Sequence, residues 1–262
     1  MRILFIGDIV GKIGRRMVRE HLPDLIEKYQ IDFVIANGEN ATHGKGLSRN
    51  NYNELLGYGI DVITLGNHYD NRDEIRKYID NADRLIRPLN LAHDYPGDGS
   101  AVYDVDGISI RVTNLLGTAM MPEQVNNPYY ALLELLSDED LEPATIHIVD
   151  FHAEATGEKV CMANALKDKV SAVLGTHTHV QTRDYRIMNG VAFISDVGMT
   201  GLYDGALGFE KDSVTNKIVY GHSGIFKIPD DGRGLLSAVV IDVDDNTGVS
   251  ENIFPIYLVE EE

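Results

Sequence analysis

Two histidines one residue apart, His177 and His179, carry the sharpest chemical signal in the chain. Side chains at i and i+2 of an extended segment point to the same side, so the pair would present two imidazoles together, with Thr176 and Thr178 facing the other way. Five further residues able to bind a metal ion follow hydrophobic, strand-like runs: Asp8, Glu39, Asn40, Asn67 and His152. Asp8, Asn40 and Asn67 also suit ordinary helix caps and turns. Glu39 is harder to account for that way, because a carboxylate at the end of a hydrophobic strand must be paired, solvated or bound to a cation. The single cysteine, Cys161, excludes an intramolecular disulfide framework and a thiolate cluster, so nitrogen and oxygen must hold any metal.

Imidazole, carboxylate and amide oxygen suit iron, manganese or zinc and are too nitrogen-rich for calcium. Seven such residues exceed the needs of one four-coordinate ion and match two ions sharing a bridging carboxylate. Two ions ~3.5–4 Å apart clamp the attacking and leaving oxygens of a phosphoryl displacement. His43-Gly44-Lys45-Gly46 lies close after Glu39, where backbone NH groups, His43 and Lys45 could meet a phosphate. His21, His93, His147 and His222 lack the strand-end placement and read as structural or surface residues. Gly7–Gly14 lacks the spacing of a nucleotide-binding glycine loop, and Ser195 and Ser223 lack a nucleophile elbow. Arg15, Arg16 and Arg19 fit a solvated helix face, and Cys161 has no activating partner in sequence.

The elements that must position these residues alternate. Buried strands are expected at Arg2–Gly7, Phe33–Ala36 and Asp61–Leu65, with helical spacing in Val18, Leu22, Leu25, Ile26 and Tyr29, around Leu55 and Leu56, and over Asn71–Ile79. This βαβ order predicts a largely parallel sheet, whose ligand crevice lies outside the carboxyl ends of its strands. Ala101–Val105 and Ile108–Thr113 flank Asp106-Gly107, a hairpin signal that brings in antiparallel strands. Helices are expected at Tyr129–Leu136 and Glu158–Lys167, and strands at Thr145–Val149, Ala172–Leu174, Tyr185–Met188, Val191–Ile194, Ser237–Val243 and Ile253–Val259. The pattern reads as one α/β domain over residues 1–262, with a mixed sheet or two packed sheets. Residues 198–234, glycine-rich and weakly periodic, form the candidate loop or lid.

Composition narrows the function classes. With 23 Lys and Arg against 41 Asp and Glu, the formal net charge of −18 argues against stable binding to polymeric nucleic acid. A small anionic substrate held at a local positive centre remains compatible. No apolar run approaches the roughly 18 residues of a membrane span, and Asp8 cuts short the apolar start Ile3–Ile6. A cytoplasmic protein without a membrane partner is expected, and a homo-oligomer is compatible with the sequence.

Taken in order, Gly7-Asp8, Asn37-Gly38-Glu39-Asn40, Gly66-Asn67-His68, Asp150-Phe151-His152-Ala153-Glu154 and Gly175-Thr176-His177-Thr178-His179 resemble the motifs of the calcineurin-like metallophosphoesterases. More narrowly they are similar to the YmdB-type branch, as is Asp196-Val197-Gly198-Met199-Thr200-Gly201 with Tyr203-Asp204-Gly205. The resemblance runs from the first strand to Gly208 and is looser beyond. It implies a four-layer αββα sandwich of two mixed sheets flanked by helices, and a dinuclear, often iron-containing, centre hydrolysing a small phosphodiester such as a 2′,3′- or 3′,5′-cyclic nucleotide. One ion would take Asp8, Glu39, Asn40 and His179, the other Glu39, Asn67, His152 and His177, with Glu39 as bridge. Hydroxide held between the ions would attack phosphorus, and His68 would protonate the leaving oxygen. Where the family continues after Gly66-Asn67-His68 with Thr-Trp-Asp, this chain has Tyr69-Asp70-Asn71, a one-residue shortening. Two other readings compete: a regulatory nucleotide-binding protein using the metal site as a sensor with slow hydrolysis, and a metal-dependent amidohydrolase. The second is disfavoured by the late position of the His-x-His pair.

Overall fold

In the computed structural model, which describes residues 1–92 and 94–261, the first strand already shows how the chain is layered. Along β1 (Arg2–Ile6), Ile3 and Phe5 point to one side and Leu4 and Ile6 to the other, and all four are buried. Both faces of its sheet are therefore covered. After the short β2 (Asp8–Ile9), α1 (Gly11–Tyr29) lays Met17, Val18, Leu22 and Leu25 against Leu4 and Ile6. β3 (Phe33–Asn37) repeats the alternation, and Ser48 caps α2 (Arg49–Gly57) by accepting from the Asn51 amide. β4 (Val62–Thr64) and β5 (Leu85–Ile86) extend a parallel run with β1 and β3.

The helix expected over Asn71–Ile79 appears only as two 3₁₀ turns, Asp73–Lys77 and Ile79–Asn81. Ile75, Tyr78 and Ile79 still point into the core, but one short apolar cluster repays too little of the nucleation cost for an α-helix.

The second sheet starts with the expected hairpin of β6 (Ser100–Val105) and β7 (Ile108–Leu116), turned by Asp106 and Gly107 at φ 52° and 85°. α3 (Pro128–Leu136) and α4 (Thr156–Ala165) flank the parallel strands β8 (Ile146–His152) and β9 (Ala172–Thr176). β10 (Arg186–Met188) and β11 (Val191–Ile194) complete the order β10-β11-β9-β8-β7-β6. The chain then returns to the first sheet through β12 (Met199–Leu202), α5 (Lys211–Ile218), β13 (Gly234–Val243) and β14 (Ser250–Val259). That sheet has the order β2-β12-β13-β1-β3-β4-β5, with β14 along β13. The stretch 198–234 thus contains a strand and a helix besides irregular chain.

Between the sheets, Ile3, Phe5, Phe33 and Ile35 meet Ile110, Ile146, Ile148 and Leu174. The outer face of the second sheet packs Val149, Phe151 and Phe193 on Leu132, Met162 and Leu166. The result is a four-layer αββα sandwich, each fully buried large side chain contributing about 1.5–3 kcal/mol. β8 runs past the expected Thr145–Val149 to His152. By strand parity with Ile146 and Ile148, this turns Asp150 and His152 towards the other sheet.

His147, on the opposite face of β8, is buried with Nε2 2.8 Å from Thr113 Oγ1. Burial, helped by Arg111, pushes its imidazole down to about 3 from an ordinary value of 6.5, so it folds neutral. The unfolded chain takes up a proton there first, so stability falls as pH drops from about 6.5 towards 3. From this residue alone, the change from pH 7 to pH 5 costs about 2 kcal/mol. Urea unfolding of His147→Asn is expected to narrow the stability gap between those pH values by about that amount. An unchanged gap would show that His147 does not fold neutral.

Candidate metal centre

The carboxyl ends of β3, β4, β8 and β9 meet at one end of the sandwich, and four heteroatoms from them converge. His152 Nε2 lies 3.2 Å from Glu39 Oε1, 3.0 Å from Asn67 Oδ1 and 3.0 Å from His177 Nδ1. Among the described residues, Glu39, His152 and His177 form the one group of three acidic, histidine or cysteine side chains close enough to hold an ion, with donor atoms within 4.8 Å of one another. Gly66 makes the approach feasible, because a Cβ there would lie 2.4 Å from Glu39 Oε2 and 2.5 Å from His152 Nε2.

A second group adjoins the first. Asp8 Oδ1 is 3.8 Å from His152 Nδ1 and 3.9 Å from His179 Nε2, and it is buried without a hydrogen-bond partner. Asn40 donates through Nδ2 to Gly44 O, leaving its buried Oδ1 equally without a partner. Buried polar oxygens of this kind are costly unless something meets them. His177 and His179 reach the site by a route other than the extended one expected. β9 ends at Thr176, and the two histidines take φ of 100° and 66° in a turn. Thr178 between them is held by Asp196, which accepts from its amide at 2.9 Å and its hydroxyl at 2.7 Å.

Charge in this buried space is poorly balanced by the protein alone. Burial raises Asp8 to about 6, although His179 and His152 pull the other way. Burial also acts to raise Glu39, but His152 and His68 outweigh it and hold that carboxyl at about 2. Burial would lower His152, yet Glu39 and Asp8 draw a proton onto it and raise it to about 9, while burial and the neighbouring His152 drive His177 down to about 3. Thr176 donates to Asp150 at 2.7 Å, so its oxygen accepts from His152 Nδ1 at 2.9 Å. With Nδ1–H held in this way, Nε2 is the nitrogen that faces Glu39, Asn67 and His177, and it offers a lone pair there once a cation displaces its proton. The donor set and the two unpartnered oxygens therefore fit multivalent transition-metal cations.

His68 is held by its backbone amide, which donates to Glu39 Oε2 at 2.8 Å, and burial lowers its imidazole pKa. His43 and Lys45 sit outside this cluster on an exposed rim, with His43 Nδ1 3.1 Å from Arg72 Nη2. His21 and His222 lie away from the cluster, and His93 lies outside the described residues.

Three supports carry little or no mark of their role in the sequence pattern. Glu154 Oε2 is 3.2 Å from His177 Nε2 and orients that ring. Glu123 Oε1 accepts from Asn67 Nδ2 at 3.2 Å. Lys159, almost fully buried, donates to Thr176 O at 2.8 Å, where the histidine turn begins, and at 3.0 Å to Asp196 Oδ2, which holds Thr178 within that turn. Of the three, Lys159 alone leaves a signal: it opens the i, i+3, i+4, i+7 stripe that Met162, Ala163 and Leu166 complete. Glu123 belongs to an irregular loop and Glu154 to a strand-to-helix turn, where spacing carries no such signal.

Two mixed sheets between helix layers, with carboxylate, amide and imidazole groups gathered where strands end, define an enzyme of the calcineurin-like metallophosphoesterase class. Within that class the chain belongs to the YmdB-like protein family, whose model matches residues 4–256. Over 248 residues it is 44% identical to the 2′,3′-cyclic-nucleotide 2′-phosphodiesterase of Bacillus subtilis (strain 168), covering 94% of this chain and 93% of that one. The crystal structure of a novel phosphatase from Mycoplasma pneumoniae is similar at a TM-score of 0.93 and 38% identity, covering 100% of this chain and 94% of that one. A hypothetical protein from Thermus thermophilus is similar at a TM-score of 0.92 and 37% identity, covering 100% of both chains. Among the described residues no helix is long and apolar enough to cross a membrane.

Removing one partner of a buried ion pair strands the other. Lys159→Met is therefore expected to lower the unfolding free energy by about 3–5 kcal/mol in urea titration, and Asp196→Asn in that background to restore part of it. A loss below about 1 kcal/mol for the single variant would place the pair among exposed, weak ones.

Proposed function

We propose that this enzyme is a dinuclear metal-dependent phosphodiesterase acting in the cytoplasm on a small phosphodiester, a 2′,3′-cyclic nucleotide being the favoured substrate. The observation that carries the reading is the convergence of Glu39 Oε1, Asn67 Oδ1 and His177 Nδ1 on His152 Nε2. The name of the Bacillus subtilis relative supports the substrate class. Asp8, Glu39, Asn40 and His179 would hold one ion, and Glu39, Asn67, His152 and His177 the other. Iron is favoured, and manganese or zinc suits the same donors. Such ions, when bound, neutralise phosphate charge and lower the pKa of coordinated water.

The chain's own residues do the rest. Asp150 and Thr176 fix the His152 tautomer, and Glu154 orients His177. His68 stands beside Asn67 with its backbone tied to Glu39, and its lowered pKa makes the imidazolium a stronger acid towards a departing alkoxide. His43 and Lys45, exposed on the rim, are assigned to contact with an approaching phosphate. Metal analysis of freshly purified protein, with 2′,3′- and 3′,5′-cyclic nucleotides assayed with and without added Mn²⁺, tests the proposal. Glu39→Gln is expected to lose both metal and turnover, and His68→Ala to keep metal while losing about 10²–10⁴-fold in rate. Protein free of transition metal, or Glu39→Gln at the wild-type rate, would sink the reading.

A further inference from the structure

Next to the metal cluster lies a recess of about 360 Å³ whose walls differ from the site itself. His179 forms one side of it, and its other walls include Val180, Tyr203, Leu207, Tyr257 and Ser237. Those four apolar or aromatic side chains are 58%, 38%, 46% and 56% exposed, a concentration of exposed large side chains around one opening. Ser237 is tied to the site through the backbone, since Gly7, next to Asp8, donates its amide to Ser237 O at 3.0 Å. β13 runs antiparallel to β1 with Ile6 opposite Ala238, so its first residues stand at the end of the sandwich where Asp8 lies.

One observation points to a ligand, and a second shows that the walls are fixed. Ser237 is 1% exposed and lines it, yet its Oγ has no hydrogen-bond partner among the described residues. Buried hydroxyls are seldom left this way. The surroundings are also held in place. Gln181 Nε2 is bound to the carbonyls of Val197, Ala238 and Ile256 at 3.1 Å each. The Arg233 guanidinium lies over the Tyr203 ring, 4.7 Å from its centroid, while pairing with Asp204 at 2.8 Å.

We infer that this recess is a nucleobase subsite, which takes the base of a nucleotide whose phosphate lies at the metal cluster, with Ser237 Oγ meeting an edge of the base. The inference rests on the phosphodiesterase reading for the position of the phosphate. An aromatic wall favours a planar base over a sugar or alkyl group, because each base presents a π face to stack. The volume falls in the range of small-molecule sites, and a few polar groups among apolar and aromatic walls are their usual composition.

The test is calorimetric binding of adenosine 3′-monophosphate against methyl riboside 3-phosphate, which lacks a base, to the protein as purified. The nucleotide is expected to bind about tenfold or more tightly, and Tyr257→Ala to erase that advantage while Tyr257→Phe keeps it. Ser237→Ala should weaken the nucleotide several-fold and leave the riboside phosphate unchanged. Equal affinity for both ligands in the wild type, or an advantage untouched by Tyr257→Ala and Ser237→Ala, would overturn the subsite. Because binding is read without turnover, failure to hydrolyse any diester would count against the phosphodiesterase reading while this result still decides the recess.

Discussion

One buried carboxylate ties the two sheets together beneath the site. Asp150 projects from β8 and accepts from Asn37 Nδ2 at 3.0 Å, Thr64 Oγ1 at 2.6 Å and Thr176 Oγ1 at 2.7 Å. Those three donors are the last residues of β3, β4 and β9. Glu39, Asn67 and His177 follow just beyond, so a single group sets where three strands release the chain that carries the candidate ligands. Burial pushes the Asp150 pKa up, and His152 with the three hydrogen bonds pulls against it. Loss of any donor would leave part of a fully buried carboxylate unmet, at a cost of about 1–3 kcal/mol or more.

Above Asp150 the arrangement follows from charge. Asp8 and Glu39 are both buried, and each acts to raise the pKa of Asp8 or His152 beside it. Imidazoles alone meet this poorly, since protonating His152 drives His177 down. Multivalent cations suit both carboxylates and both imidazole lone pairs at once. The formal net charge of −18 is therefore a property of the whole chain and says little about the local potential a phosphate would meet. Acidic composition disfavours wrapping a long polyanion, and it leaves open a small one drawn to a concentrated positive centre.

How much of this is legible in the sequence depends on the kind of order involved. Burial of both faces along Ile3–Ile6 and Phe33–Ala36 is written directly in their unbroken apolar runs, as is the Asp106-Gly107 turn in its residue types, so the layers can be anticipated. The ligand types and their strand-end positions are equally open to reading. The turn holding His177 and His179 is not, because positive φ at non-glycine residues leaves no trace in spacing and is imposed here by Asp196, Thr178 and Lys159. The 3₁₀ turns after Asn71 imitate a helix in sequence because their apolar residues share its spacing over too short a span. Glu123 and Glu154 act from irregular segments, where only the folded geometry reveals a partner.

The segment after His68, where the chain departs from the family motif it resembles, is held on both sides. Tyr69 is buried, its hydroxyl donates to Pro96 O at 3.2 Å, and its ring meets Tyr95 edge-on at 5.6 Å. Asp70 pairs with Arg76 at 2.5 Å. On the other side, the His68 amide donates to Glu39 Oε2, which ties its backbone to the site. Further out, Arg72 packs on Gly46 and contacts His43. Lys45 lines the same recess as His43 and Arg72, together with Asp73 and Glu74. The segment thus packs Tyr69 inwards and leads to Arg72 beside the exposed His43, while Asn67 and the His68 amide are held on the inner side by Glu123 and Glu39.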